Sequence, residues 1–215
     1  VFEDNIGNSF YDVIASPPVL SPNKRYLFIS TLGVVDTENY KVLFRNNKLS
    51  SCAWYQNSTK LTCVSKESIQ NTFGDSAERY RISDVTLDGQ EKVYEDPSIK
   101  DSFETNVFNL RLKVIGFNES TSEQIMFSEI SQAVTKYNLV QKKFTWDYVP
   151  ENAKLGPAPT WAIFDDKENK VFYLNQRDLG SDISNPNDRY SVNLMEVVLG
   201  TNTAKKLYSE NGPKQ

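Results

Sequence analysis

The chain has 215 residues, with 24 Lys and Arg against 28 Asp and Glu (formal net charge −4), and it is 39% hydrophobic and 12% aromatic. That apolar content builds a core and excludes wholesale disorder, and the mild acidity argues against a nucleic-acid or anionic-membrane partner. There is no histidine, which removes Ser-His-Asp triads, His-ligated metals and the commonest general base from these residues.

Along the chain, β-branched and aromatic residues cluster between turn-formers and often alternate, which is the strand signature; helical periodicity is scarce. The start, Val1-Phe2-Glu3-Asp4, lacks an initiator Met and the character of a signal peptide, and reads as a mature or excised segment. Residues 1–18, closing on Pro17-Pro18, are expected to add a strand that caps or closes the array. No apolar run approaches the roughly 20 residues of a membrane span.

Val19-Leu20 leads through Pro22-Asn23-Lys24 into Tyr26-Leu27-Phe28-Ile29, a first hairpin. A second follows, from Val34-Val35-Asp36 through Thr37-Glu38-Asn39 into residues 40–44. The same pair of hairpins then recurs. Ala53-Trp54-Tyr55 turns at Gln56-Asn57-Ser58-Thr59 into Leu61-Thr62-Cys63-Val64, and residues 82–87 turn at Asp88-Gly89, a strong hairpin signal, into Glu91-Lys92-Val93-Tyr94. In the third copy Val114-Ile115-Gly116-Phe117 turns into Ile125-Met126-Phe127, and Tyr137-Asn138-Leu139-Val140 turns at Gln141-Lys142-Lys143 into Phe144-Thr145-Trp146. The fourth runs from Trp161-Ala162-Ile163-Phe164 into Val171-Phe172-Tyr173-Leu174, and then from residues 192–199 through Gly200-Thr201-Asn202 into residues 204–208. Long loops at 68–78 and 178–190 interrupt the second and fourth copies at the same place.

Four-stranded units in tandem, closing on Phe44, Tyr94, Trp146 and Tyr208, fit an all-β, propeller-like array of about four blades, each shielding its neighbours. The blades are placed at about 19–48, 49–100, 106–152 and 158–211. A two-sheet β-sandwich is the alternative.

Cys52 and Cys63 are centred on the 56–59 turn. In a hairpin they become cross-strand neighbours, with Cβ atoms about 4.5–5.5 Å apart against the about 3.5–4.5 Å of a disulfide; a non-hydrogen-bonded pair accepts one. Two readings stay open: a cross-link in an oxidising compartment, or two small core thiols in a reducing one. Asn57-Ser58-Thr59 and Asn118-Glu119-Ser120 both fit the glycosylation acceptor pattern, which favours the first reading and an extracytoplasmic, secreted or periplasmic setting.

The segment Leu20-Ser21-Pro22-Asn23-Lys24-Arg25-Tyr26-Leu27-Phe28 resembles the strand–turn–strand repeat of TolB-like propellers and of prolyl-oligopeptidase-type propellers. Residues 85–93 and the stretch from Met195 resemble the outer hairpin of the same repeats. Only the first copy keeps Ser-Pro, and such propellers usually have six to eight blades. The resemblance therefore leaves open a compact ring, a fragment, or one part of a larger protein. It implies a propeller and, in the peptidase case, a gating segment beside an α/β-hydrolase domain outside these residues.

No nucleophile elbow, phosphate loop or calcium loop is present. The pairs Asp165/Asp166, Glu95/Asp96 and Asp101/Glu104 could run glycoside hydrolysis without histidine, but they fall in turns or inter-repeat loops, where solvated charge is the ordinary reading. Trp54, Trp146 and Trp161 are expected to pack between sheets. The sequence therefore points to a non-catalytic binding module with no cofactor or metal. A protein or peptide partner would be met by the 68–78 and 178–190 loops, with Asp178, Asp182, Asp188, Arg189 and Tyr190 as candidate contacts together with Tyr137, which polar neighbours suggest is exposed.

Overall fold

The computed structural model describes residues 17–30, 32–70, 76–94, 112–128, 131–150, 162–178 and 190–212, with side chains described at all of these but 66–70, 76–80, 176–178, 190 and 211–212. Every regular element among them is a strand, arranged as a propeller-like series of four four-stranded antiparallel sheets. The first sheet holds β1 (Val19–Leu20), β2 (Tyr26–Ile29), β3 (Gly33–Asp36) and β4 (Lys41–Arg45). The second holds β5 (Leu49–Trp54), β6 (Lys60–Gln70), β7 (Ser76–Thr86) and β8 (Glu91–Tyr94). The third is β9 (Leu112–Asn118), β10 (Glu123–Ser128), β11 (Val134–Asn138) and β12 (Lys143–Tyr148). The fourth is β13 (Ala162–Asp165), β14 (Lys170–Asp178), β15 (Tyr190–Val198) and β16 (Thr203–Gly212). Each strand pairs with its neighbour in sequence, so every sheet is a meander whose short turns fix its register.

The chain divides into two compact units, Val1–Tyr94 and Glu95–Gln215. In the first, alternate residues of sheets one and two meet in a core of Phe28, Val34, Leu49, Cys52, Trp54, Leu61, Cys63 and Val85. Trp54 lies stacked 6.1 Å from Tyr26, and its indole N–H donates to the Val19 carbonyl at 2.8 Å, so a large buried aromatic keeps its one polar group satisfied. In the second unit Ile125, Phe127 and Val134 of sheet three pack on Val171, Tyr173, Val197 and Leu199 of sheet four. Gly116 lets the Phe164 ring sit directly over the backbone of β9; a Cβ there would stand 2.8 Å from Phe164 Cβ.

One turn design recurs. In four hairpins the last strand residue is Asp or Asn, and its side-chain oxygen accepts the N–H groups two and three residues on: Asp36, Asn118, Asn138 and Asp165. Four residues after each comes a left-handed residue: Tyr40, Ser122, Lys142 and Asn169. The Asx side chain replaces the backbone bonds that the turn gives up, and the left-handed residue redirects the chain into the next strand. Leu139 and Val140, expected in a strand, belong instead to one of these turns, and the strand begins earlier, at Val134. The fourth strands β4, β12 and β16 each carry a one-residue bulge, at Leu43, Asp147 and Leu207, which adds local twist to the last strand of its sheet.

The two long loops are shorter than the sequence suggested. β6 and β7 stay paired to the rung Gln70↔Ser76, and β14 and β15 to Asp178↔Tyr190. Most of 68–78 is therefore ladder, because its β-branched and polar residues pair as well as any strand. Residues 71–75 and 179–189, the latter with Asp182, Asp188 and Arg189, lie outside the described residues, as do Glu95, Asp96, Asp101, Glu104, Trp161 and residues 1–16.

Candidate functional site

Within each sheet, the turns joining strands one to two and three to four lie at one end, and the two-to-three connection lies at the other. At the first end, three sheets place a cross-strand ion pair at the same station. Lys60 opens β6 and reaches Asp84 on β7 at 2.9 Å. Glu123 opens β10 and faces Lys136 on β11 at 3.8 Å. Lys170 opens β14 and meets Glu196 on β15 at 3.4 Å. In each case the partner sits two residues from the rung opposite, which places both side chains on one face of the pleat. The sign is reversed in the third sheet. The first sheet pairs Arg25 with Asp36 at 3.0 Å.

Asp84 collects three hydrogen bonds on a single oxygen. It is 5% exposed, and that oxygen accepts from Lys60 Nζ and from the Tyr55 and Tyr94 hydroxyls at 2.8–2.9 Å. Lys60 also lies 3.8 Å from the centre of the Tyr55 ring. The cation neutralises the carboxylate and the ring shares the cation, an arrangement that fixes the β6–β7 hairpin. Asp147 on β12 is pushed upward in pKa by burial, against the pull of Lys136 at 3.1 Å. Asp165 of the acidic turn caps that turn, and Lys167 and Glu168 supply its donors. Among the described residues no group of three or more Cys, Asp or Glu could hold a metal ion.

Cys52 and Cys63 are joined in a disulfide, with a Cα–Cα distance of 4.1 Å. They face each other directly across the β5–β6 ladder. Asn57 is exposed and Asn118 half-buried, each in the first turn of its sheet.

Tyr137 departs from expectation. It is fully buried, 5.0 Å from the Phe144 ring and paired across the ladder with Gln124. Its polar neighbours Lys136 and Asn138 point to the opposite face, as strand alternation requires, so flanking polarity did not signal exposure and Tyr137 leaves the list of surface contacts. Trp146 departs the other way: it is 45% exposed rather than packed. Asp178 and Tyr190 form the last rung of β14–β15.

Sequence reasoning missed the outer face of the fourth sheet. The inner face buries Val171, Tyr173 and Val197. The registers Ile163↔Phe172, Leu174↔Leu194 and Leu194↔Tyr208, with Val192 two residues along, put a second set of apolar side chains on the opposite face. Here Ile163 is 63% exposed, Leu174 40%, Val192 39% and Tyr208 58%. The signal was in the letters: Val171-Phe172-Tyr173-Leu174 does not alternate, and a strand apolar on both faces is a strand meant to be covered twice. Among the described residues β13 pairs no further than Tyr173, and beyond that rung β14, β15 and β16 run on together as a three-stranded arm with β16 at the sheet edge.

No protein-family model matches the chain, and no curated protein matches it. Among solved structures it is similar to the hydrazine synthase of Kuenenia stuttgartiensis, at 10% identity and a TM-score of 0.47, over 88% of this chain and 64% of that one. It is also similar to tricorn protease, at 12% identity and a TM-score of 0.46, over 97% of this chain and 23% of that one. The chain thus spans less than two thirds of either.

Proposed function

We propose that the chain is a non-catalytic recognition module that binds an extended peptide segment of a partner protein alongside β16, with the segment's apolar side chains continuing the Leu174–Leu194–Tyr208 row beyond Tyr208. The observation that carries this reading is the displayed apolar face of the fourth sheet, on an arm whose edge strand is ten residues long. An edge strand offers unpaired N–H and C=O groups to an added strand, and the exposed side chains beside it supply selectivity. Three strands about 4.8 Å apart over five residues rising about 3.3 Å each give roughly 240 Å². A stable protein–protein interface takes about 800 Å² per partner, so the arm suits one extended segment better than a second copy. Lys205, Lys206 and the bulge at Leu207 blunt the inner half of the edge and direct pairing to the outer half. Asp178 and Tyr190, the last rung of β14–β15, would add to the contact at the arm's end. The disulfide supports an extracytoplasmic setting for this role.

The test is selection from a phage-displayed library of extended peptides, followed by calorimetric affinities for the selected sequences. The expected result is enrichment of alternating apolar sequences and at least a tenfold loss of affinity in the folded Leu174→Asp/Tyr208→Asp variant. Equal binding by that variant, or no enrichment over an unrelated β-sheet protein, overturns the proposal.

A second reading makes the chain the gating propeller of a prolyl-oligopeptidase-like peptidase, with residues 1–18 as a closing segment. It is favoured by the repeat-like letters at 20–28 and 85–93 falling on strand–turn–strand units, β1–β2 and β7–β8. A reading frame continuing into a Gly-x-Ser-x-Gly segment would decide for it.

A further inference from the structure

We infer that Asn57 and Asn118 are N-glycosylation sites, each carrying an oligosaccharide through its side-chain amide nitrogen. The inference goes beyond peptide recognition and shares with it only the assignment to an oxidising, exported setting. Both acceptor triplets fall in the first turn of a sheet, and in both the hydroxyl at the third position closes onto the Asn carbonyl. Thr59 Oγ1 donates to Asn57 Oδ1 at 2.8 Å and Thr59 N–H to the same oxygen at 3.0 Å. Ser120 Oγ donates to Asn118 Oδ1 at 2.7 Å, with the Ser120 and Thr121 N–H groups at 3.1 and 3.3 Å. All the bonding of these side chains is thus spent on the oxygen, and Nδ2 of each is unengaged among the described residues.

An internal comparison sharpens the point. Asn138 starts the same kind of turn as Asn118 and caps it with the same two backbone bonds. It has Val140 where an acceptor needs Ser or Thr, and its Nδ2 is tied to the Thr121 carbonyl at 3.0 Å. Equivalent turns therefore part company on the atom that a glycan would use.

The folded protein also has room for the sugar. Gln56, Asn57 and Thr59 are exposed, as are Glu119, Ser120 and Thr121 beside the half-buried Asn118, so a bulky polar adduct has solvent to extend into from either turn. Both turns lie at the opposite end of their own sheets from the β6–β7 and β10–β11 connections, leaving those ends clear. Chemically, Nδ2 loses one proton and forms a bond to the anomeric carbon of an N-acetylhexosamine. The bond from that carbon to the diphosphate of a lipid-linked oligosaccharide breaks, the lipid diphosphate leaves, and no redox change is involved.

The experiment is peptide mass mapping of the protein isolated from the cells that make it, before and after peptide N-glycosidase in ¹⁸O water. The peptides containing residues 57 and 118 should carry hexosamine-based mass before treatment and return as ¹⁸O-labelled Asp afterwards. Thr59→Ala and Ser120→Ala should each abolish modification at one site while leaving the Asn in place. Recovery of unmodified Asn at either position from native material overturns the assignment there. Peptide selection on the arm is read separately, so the two proposals fail independently.

Discussion

Replacing both Cys52 and Cys63 with Ala tests how much of the first unit depends on its cross-link. The residues are 11 apart in sequence, and loop-closure entropy for such a short loop amounts to about 3 kcal/mol at 25 °C. For a chain of this size each kcal/mol corresponds to about 2–4 °C in Tm, so the double variant should melt roughly 6–12 °C lower. Cys52 is 2% exposed and Cys63 0%, which shields the sulfurs from reductant in the folded state. The bond should therefore resist mild reductant under native conditions, and stability should fall only once unfolding exposes it. Urea unfolding of wild type with and without strong reductant separates the covalent contribution from the lost packing of two sulfurs, since that packing is kept in the reduced protein. A difference below about 1 kcal/mol would show that the link does not constrain the unfolded chain as the entropy model requires. Quantitative alkylation of both thiols in untreated native protein would show that the link is absent.

Two further outcomes follow from the turn and the sheet contact. Burial works against the charge of Asp36, but hydrogen bonds from Arg25, the Asn39 side chain and the Glu38 and Asn39 N–H groups outweigh it and lower its pKa to about 2. Its folded-state pKa lies below the ordinary 3.8, so its contribution is complete above pH 4 and is lost as pH falls from there through about 2. Unfolding free energies across that window should fall more steeply for wild type than for Asp36→Asn, and parallel curves would rule the mechanism out. Gly116→Ala should cost about 1–3 kcal/mol, because the new Cβ meets the Phe164 ring. Adding Phe164→Leu should recover part of that loss, and purely additive effects in denaturant titrations would refute the contact.

Much of the architecture could be read from the letters because hairpins are local. Asp88-Gly89 sets a turn whose glycine has φ +83°, and Val19-Leu20 needs only its neighbours to find Phe28 and Leu27. What escaped was the information that alternation hides. Tyr137 looked exposed because the polar residues beside it in sequence face the other way. The 68–78 stretch looked like a loop because polar strands pair through their backbones regardless of side chain. The outer face of the fourth sheet was visible as a non-alternating run, but a run of apolar letters says that both faces are apolar and not which one is left uncovered. The shared Asx-to-left-handed turn was equally present in the sequence. Its spacing of four residues joins Asp36 to a tyrosine, Asn118 to a serine and Asn138 to a lysine, residue types that do not announce a positive φ.

The reversed charges of the third sheet bear on how such similar hairpins avoid exchanging partners. A second strand from one sheet, docked by mistake on the third strand of the sheet before or after it, would bring Lys60 against Lys136, Glu123 against Asp84 or Glu196, or Lys170 against Lys136. Among the second, third and fourth sheets every mispairing between adjacent copies thus sets like charges face to face at a partly shielded station, while each proper pairing sets opposites. Alternating polarity gives neighbouring copies a lock-specific key, a safeguard for a repetitive chain whose pieces would otherwise be interchangeable during assembly.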